Sequence, residues 1–223
     1  MSLDREYTLG GGERGVLTRD QERGVFGQVM GLVALTLGCL ALGAYIGRNL
    51  SGGFFVLFIG AFACVFGLNW ASNRGREQLA VLFLFGLGFL FGLAFGPVLA
   101  VYAKADPAAL WQAAGSTAAF VAAAGAFGYA TRRDLSAWYR ILFWALLALI
   151  VFGIVLIFVS IPSGDLIYSI LGLVIFGGFT IIDFNRLRRA DMASSVQIAA
   201  SIFLDVFNIF LFFLRIFGGS GRN

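Results

Sequence analysis

The stretch Ser194 to Phe217, SSVQIAASIFLDVFNIFLFFLRIF, decides how this chain is read. It is apolar throughout and exceeds the roughly 20 residues that a membrane-spanning helix needs, yet Asp205 lies near its middle. A carboxylate at that depth costs about 2.5–3.5 kcal/mol on insertion scales, so it faces a partner or water and not lipid. Some other part of the chain must receive it.

The pattern around Asp205 shows where it points. Ser194 and Gln197 form an S-x-x-Q capping box, which predicts a helix start near Ser195. Along that helix Gln197, Ser201, Asp205 and Asn208 fall on one polar stripe of an otherwise Ile/Leu/Phe cylinder. Arg215 continues the stripe to where a long side chain can snorkel to the far interface. The other acid embedded in strongly apolar sequence is Asp183, in LVIFGGFTIIDFNRLRRA (173–190). Residue 194, where the turn meets the last helix, is equidistant from 183 and 205. In an antiparallel hairpin the two carboxylates are therefore expected level, roughly 10–15 Å below one surface at about 1.5 Å per residue.

Composition agrees with a membrane protein: 60% of residues are hydrophobic and 13% charged, far from soluble averages. There is no histidine, which removes His-based metal sites, general bases and pH switches, so a pH response near neutrality falls to carboxylates. Cys39 and Cys64 lie inside apolar runs at different depths and are read as buried free thiols. The arginines are scattered over short loops, which argues against a nucleic-acid partner. Neither a nucleophile motif, a nucleotide loop nor the Tyr-Asp and Gly-x-Gly-Asp signatures of intramembrane aspartyl proteases is present, so an enzyme is not expected. No cofactor is expected either.

Residues 1–25 carry nine charges and a Gly10-Gly11-Gly12 run, and are read as a polar cytoplasmic tail, helical at most near Arg19 to Arg23. Apolar segments follow at 26–46, 53–71, 79–101, 108–130, 138–159, 164–184 and 195–217, before a short tail at 218–223. The expected fold is an all-α integral membrane protein, with a single domain of seven transmembrane helices over 26–217. Twelve basic residues fall on the side of the amino terminus: Arg5, Arg14, Arg19, Arg23, Arg74, Arg76, Arg132, Arg133, Arg140, Arg186, Arg188 and Arg189. Arg48, Lys104, Arg215 and Arg222 fall on the other if the last segment spans. The positive-inside rule then places the amino terminus in the cytoplasm. Charge leaves open whether the last segment spans or returns; its length favours a span.

Gly88, Gly92 and Gly96 form G-x-x-x-G-x-x-x-G on the third segment, and Gly27/Gly31 and Gly43/Gly47 repeat the spacing on the first. This predicts close helix contacts. The Ala/Gly-rich fourth segment, STAAFVAAAGAFGYAT (116–131), is placed against several neighbours. The phenylalanines are read as lipid-facing and gap-filling.

Asp183 followed by a basic turn, the terminal A-x-S-I-F-L-D-V-F-N-I-F-L-F-F-L-R-I-F from Ala199, G-L-A-F-G-P-V-L in the third segment and T-R-R-D from Thr131 resemble the transmembrane Bax inhibitor motif family. The resemblance covers residues 20 to 218. It implies six helices surrounding a central seventh, in a bacterial cytoplasmic (inner) membrane. It also implies a pH-sensitive calcium leak channel, gated by two aspartates on the last two helices that share a proton. Those positions are Asp183 and Asp205 here. An arginine near the second helix is implied as a latch on the sixth-helix aspartate, with Arg74 and Arg76 as candidates. Where many relatives carry Asp-Thr-Gln, this chain has Asp183-Phe184-Asn185.

Two close carboxylates in a low-dielectric site cannot both ionise cheaply, so one proton is shared and the pair titrates in two coupled steps. Without the proton, two repelling charges attract a hard cation, whose ligands are oxygens. Asp183 and Asp205, with Ser201 and Asn208 as polar pore lining, make a weak, transient calcium site of the kind permeation requires. The expected partners are lipid, calcium as permeant ion, and protons, around a monomer. The bland reading of Asp183 is an interfacial ion pair with Arg186; that of Asp205 is a structural hydrogen bond. A proton-coupled transporter and a non-conducting partner of a membrane AAA protease stand as alternative functions.

Overall fold

The computed structural model describes residues 19–219, and side chains from residue 23 onward. Most of the polar tail at 1–25, with Arg5 and Arg14, and the end of the tail at 218–223, with Arg222, lie outside the described residues. Seven α-helices fill the rest: α1 (Arg19–Gly47), α2 (Phe54–Ser72), α3 (Glu77–Ala105), α4 (Pro107–Ala130), α5 (Ser136–Phe158), α6 (Gly164–Leu187) and α7 (Ser195–Gly219). A single 3-10 turn, Met192–Ser194, leads into α7. All seven are long and apolar enough to cross a membrane, and α1 begins already within the charged segment at Arg19.

Local chemistry sets the helix ends. The α2–α3 turn closes as a Schellman motif: Arg76 N–H donates to Ala71 O at 3.0 Å and Gly75 N–H to Ser72 O at 3.0 Å. Gly75 takes the left-handed conformation this motif requires, with φ of 69°. The α3–α4 junction is shorter still. Asp106 caps α4 by accepting from Ala109 N–H at 3.1 Å, with Pro107 at the first helical position.

α7 is the central element. It packs against α1, α2, α3, α4 and α6, whereas α5 packs chiefly on α6, and only Leu149 of α5 is buried. α7 runs back the whole length of α6, so that Arg215 near its end pairs with Asp165 in the first turn of α6 at 2.6 Å. Leu214 joins Ala109 and Ala113 at the start of α4. The last helix therefore spans, as its length implied, and Arg215 sits at the far end with its guanidinium 5.0 Å from the Tyr168 ring centre.

The glycine spacing is used on one seam. A Cβ on Gly92 would stand 2.1 Å from Leu40 O and 2.9 Å from the Gly43 Cα, and one on Gly96 2.7 Å from Ala44 O. The backbones of α1 and α3 thus touch along Gly43, Gly47, Gly88, Gly92 and Gly96. The other half of the α1 pattern does not take part: Gly27 and Gly31 have nothing within 4 Å of a built Cβ. The phenylalanines divide as well. Phe55 and Phe66 are 78% and 72% exposed, while Phe58, Phe91, Phe95 and Phe207 pack ring on ring between α2, α3 and α7, with Phe91 and Phe207 stacked at 5.0 Å.

The seam yields a direct test. Gly92→Ala forces α1 and α3 apart and lowers stability by about 1–3 kcal/mol, the usual penalty of overpacking. Gly27→Ala, made where space is open, leaves stability unchanged or slightly raised. Thermal unfolding of the detergent-solubilised variants reads the difference.

Candidate functional site

The α6–α7 hairpin turns at Asp191. Its carboxylate accepts from Ser194 N–H at 3.0 Å and from the Ser194 hydroxyl, and these bonds hold the Asp191 carboxyl below its ordinary range. Asp191 thus caps the 3-10 turn; α7 starts at Ser195, as the sequence predicted, but the Ser194/Gln197 box does not form. Gln197 instead donates from Nε2 to Asn73 Oδ1 at 3.4 Å, tying α7 to the α2–α3 turn.

This turn shifts the register of the hairpin. Asp183 and Asp205 are both buried, at 3% and 5% exposure, and the charge of each bears on the other. Asp183, however, lies beside Ser201, and Asp205 lies beside Thr180. The carboxylates are thus staggered by about one turn, ~5.4 Å along the axis, and not level. The physical reason is that α6 continues to Leu187 and the connection closes through an extra 3-10 turn, which moves the hairpin centre away from residue 194.

The two carboxylates differ in their partners. Asp183 Oδ1 accepts from Arg186 at 3.3 Å, one turn along the same helix. Asp205 Oδ2 is buried without a hydrogen-bond partner among the described residues; the Thr180 hydroxyl lies beside the carboxyl and donates to Phe176 O at 2.8 Å. A buried carboxylate oxygen left bare is costly and uncommon.

The remaining predicted residues fall into place around this pair. Ser201 is half-buried on the Asp183 side. Asn208 is half-buried too, but its Nδ2 donates to Leu204 O of its own helix at 2.7 Å. Neither latch candidate reaches Asp183: the Arg74 and Arg76 guanidinium groups lie over the Trp70 ring, 4.5 and 5.5 Å from its centre. Arg186 occupies the position beside Asp183 because three residues along a helix is contact distance. A cavity between α1, α3, α4 and α7 is lined by neither aspartate. Among the described residues no group of three or more acidic or cysteine side chains is placed to hold a metal ion.

Asn185 is the residue that sequence reasoning missed. It is 1% exposed, and its Nδ2 donates to Thr131 O at 2.7 Å, Arg133 O at 3.1 Å and Gly128 O at 3.2 Å. Its Oδ1 accepts from Leu135 N–H at 3.3 Å and from Arg189. Arg188 donates to Thr131 O at 3.1 Å, and Arg189 to Asp134 at 3.1 Å. The hydrogen bonds from Arg189 and Ser136 keep the Asp134 carboxyl well below its ordinary range. The last turn of α6, two residues beyond Asp183, therefore clamps the α4–α5 loop. The available signal was the polar Asn185 set between Asp183 and the arginines, facing a T-R-R-D loop rich in exposed backbone.

A family profile described as "Inhibitor of apoptosis-promoting Bax1" matches residues 22–222. A Chlamydia muridarum protein, named only as uncharacterized, is 32% identical over 86% of this chain and 87% of its own length. A Campylobacter jejuni protein of similar standing is 26% identical over 97% of both chains. A Vibrio cholerae relative called an uncharacterized membrane protein is 29% identical over 60% of this chain and 61% of its own.

The clamp can be tested by proteolysis. Asn185→Ala strips three carbonyls and one amide of their partner, a loss of about 1–3 kcal/mol, and is expected to speed tryptic cleavage after the exposed Arg132 and Arg133. Asn208→Ala, which removes a bond within one helix, is expected to leave the cleavage rate as it is.

Proposed function

This chain belongs to the Bax1-I family, inhibitors of apoptosis-promoting Bax1, and on that premise we propose that it is a pH-sensitive calcium leak channel gated by Asp183 and Asp205. It is a multi-pass integral membrane protein. We place it in a bacterial cytoplasmic membrane with its amino terminus inside, on the excess of arginine at that end of the helices. The carboxylate pair then lies toward the cytoplasmic side.

The observation that supports this reading most is the bare Oδ2 of Asp205, enclosed beside a second carboxylate. In the closed state one of the two acids holds a proton, so that a single charge remains in the enclosure, and α6 and α7 stay packed. When the proton leaves, the two charges repel across the hairpin and together form an oxygen site for a hard cation. Arg186 does not abolish that site. Its side chain is 41% exposed, so solvent screens its hold on Asp183 and the ion pair can exchange. With so few charged ligands the ion binds weakly and leaves, which conduction demands. The sign follows: deprotonation opens, so flux rises as pH rises.

Calcium flux into proteoliposomes between about pH 5 and 8 checks the proposal, each unit of pH changing the deprotonated fraction of a titrating group by at most about tenfold. Wild type is expected to conduct more at the alkaline end. Asp205→Asn and Asp183→Asn each remove one of the two charges and flatten the profile. Wild-type flux no greater than that of empty liposomes at any pH would sink the channel reading and favour a non-conducting partner of other membrane proteins, for instance a membrane AAA protease. Proton flux dependent on an added substrate would favour a transporter.

A further inference from the structure

The cavity between α1 and α4 is lined by neither Asp183 nor Asp205. It encloses about 1500 Å³ between α1 and α4, with α7 and part of α3 as its floor. Small side chains make the space: Ala118, Ala122 and Ala126 on α4 oppose Gly27 and Ala41 on α1, above Val206 and Phe210. α1 and α4 have no substantial contact with each other, so the groove opens sideways, toward the bilayer. It runs from Arg23 to Arg48, about 37 Å at ~1.5 Å per residue, which covers the ~30 Å hydrocarbon thickness.

The lining sorts by depth. Between Tyr45 and Tyr129, which lie near the two ends, the only polar lining side chain is Thr117, whose hydroxyl donates to Ala113 O at 2.7 Å. Water would find no partners there, and an empty groove would forfeit dispersion contacts along its length. At the end remote from the aspartates stand Arg48 and Lys104. Among the described residues neither has a carboxylate within 4.0 Å. A long apolar channel open to lipid, ending in two unneutralised cations at headgroup depth, is complementary to one kind of molecule.

We propose that the groove between α1 and α4 is a binding site for an anionic phospholipid, with acyl chains along Ala118, Ala122, Val206 and Phe210 and the phosphate at Arg48 and Lys104. The site is separate from the proposed gate and does not depend on conduction. It explains why α4 carries alanine where a lipid-facing helix would ordinarily carry leucine or phenylalanine.

The test uses the full-length protein in nanodiscs of equal phosphatidylglycerol and phosphatidylcholine, extracted and examined by native mass spectrometry. Wild type is expected to retain phosphatidylglycerol in preference to phosphatidylcholine. The double substitution Arg48→Gln with Lys104→Gln is expected to cut that preference about tenfold or more, as two headgroup-level cations are each worth about 1 kcal/mol. Ala118→Phe fills the groove and is expected to reduce retention of both lipids, and the smaller Ala122→Leu repeats the measurement should the phenylalanine prevent folding. Equal retention of the two lipids by wild type, or an unchanged preference in the double variant, overturns the proposal. So does a gain of lipid on deletion of residues 2–18, which would make the amino-terminal segment the occupant.

Discussion

A carboxylate near the middle of a membrane-crossing helix has to be enclosed by protein, and that requirement organises this molecule around Asp205. The residue is 5% exposed, and the helix that carries it is the one on which α1, α2, α3, α4 and α6 converge. Were α7 peripheral, the acid would face hydrocarbon at a cost of several kcal/mol. Enclosure alone would be satisfied by a donor on every oxygen. Here Oδ2 has no donor among the described residues, and the neighbouring hydroxyl of Thr180 donates within its own helix.

Small residues serve two opposite ends in the bundle. Along Gly88, Gly92 and Gly96 the missing side chains let α3 press backbone to backbone against α1. Along Ala118, Ala122 and Ala126 they leave a groove. The residue types are nearly the same, and the difference lies in what stands opposite. α1 and α3 are joined by α2 and a tight Schellman turn, whereas α1 and α4 meet only at a distance, each held by α7.

The helices and the enclosure of Asp205 were legible because each rests on a long-range average or a single extreme cost: continuous apolar runs for the spans, one deeply placed acid for the enclosure. The central place of α7 was implied by the family resemblance and not by the residues themselves. The register of the hairpin was not legible. It depends on the 3-10 turn that Asp191 caps ahead of the last helix, which sequence spacing does not reveal, and that turn decides whether Asp183 meets Asp205 or Ser201. Of the two readings of the arginine beside Asp183, the ion pair with Arg186 is present and the latch implied by the resemblance is not. Arg74 and Arg76 sit in the next turn of the bundle, but the Trp70 ring holds both, while Arg186 needs only the helix itself. Asn185 escaped notice because its value comes from the backbone of a distant loop, and carbonyls leave no mark in a sequence.

The ends of the α6–α7 hairpin are fastened differently. At the far end Arg215 and Asp165 pair at 2.6 Å, but with side chains 46% and 73% exposed, and such a surface pair contributes about 0–1 kcal/mol. Between the ends the helices interlock tightly: a Cβ on Gly172 would lie 2.2 Å from the Phe212 ring, and Ile175, Phe176, Phe179, Ile209 and Phe212 share one buried cluster. At the near end the buried acids adjoin the Asn185 clamp, where α6 is bonded to the α4–α5 loop and not to α7. At the end with the carboxylates the two helices still share a buried cluster, Phe184 and Leu187 with Val196 and Ala199, but each is hydrogen-bonded to a different neighbour: α6 to the α4–α5 loop, α7 through Gln197 to the α2–α3 turn. Repulsion between Asp183 and Asp205 would act where those anchors already pull the two helices toward separate parts of the bundle.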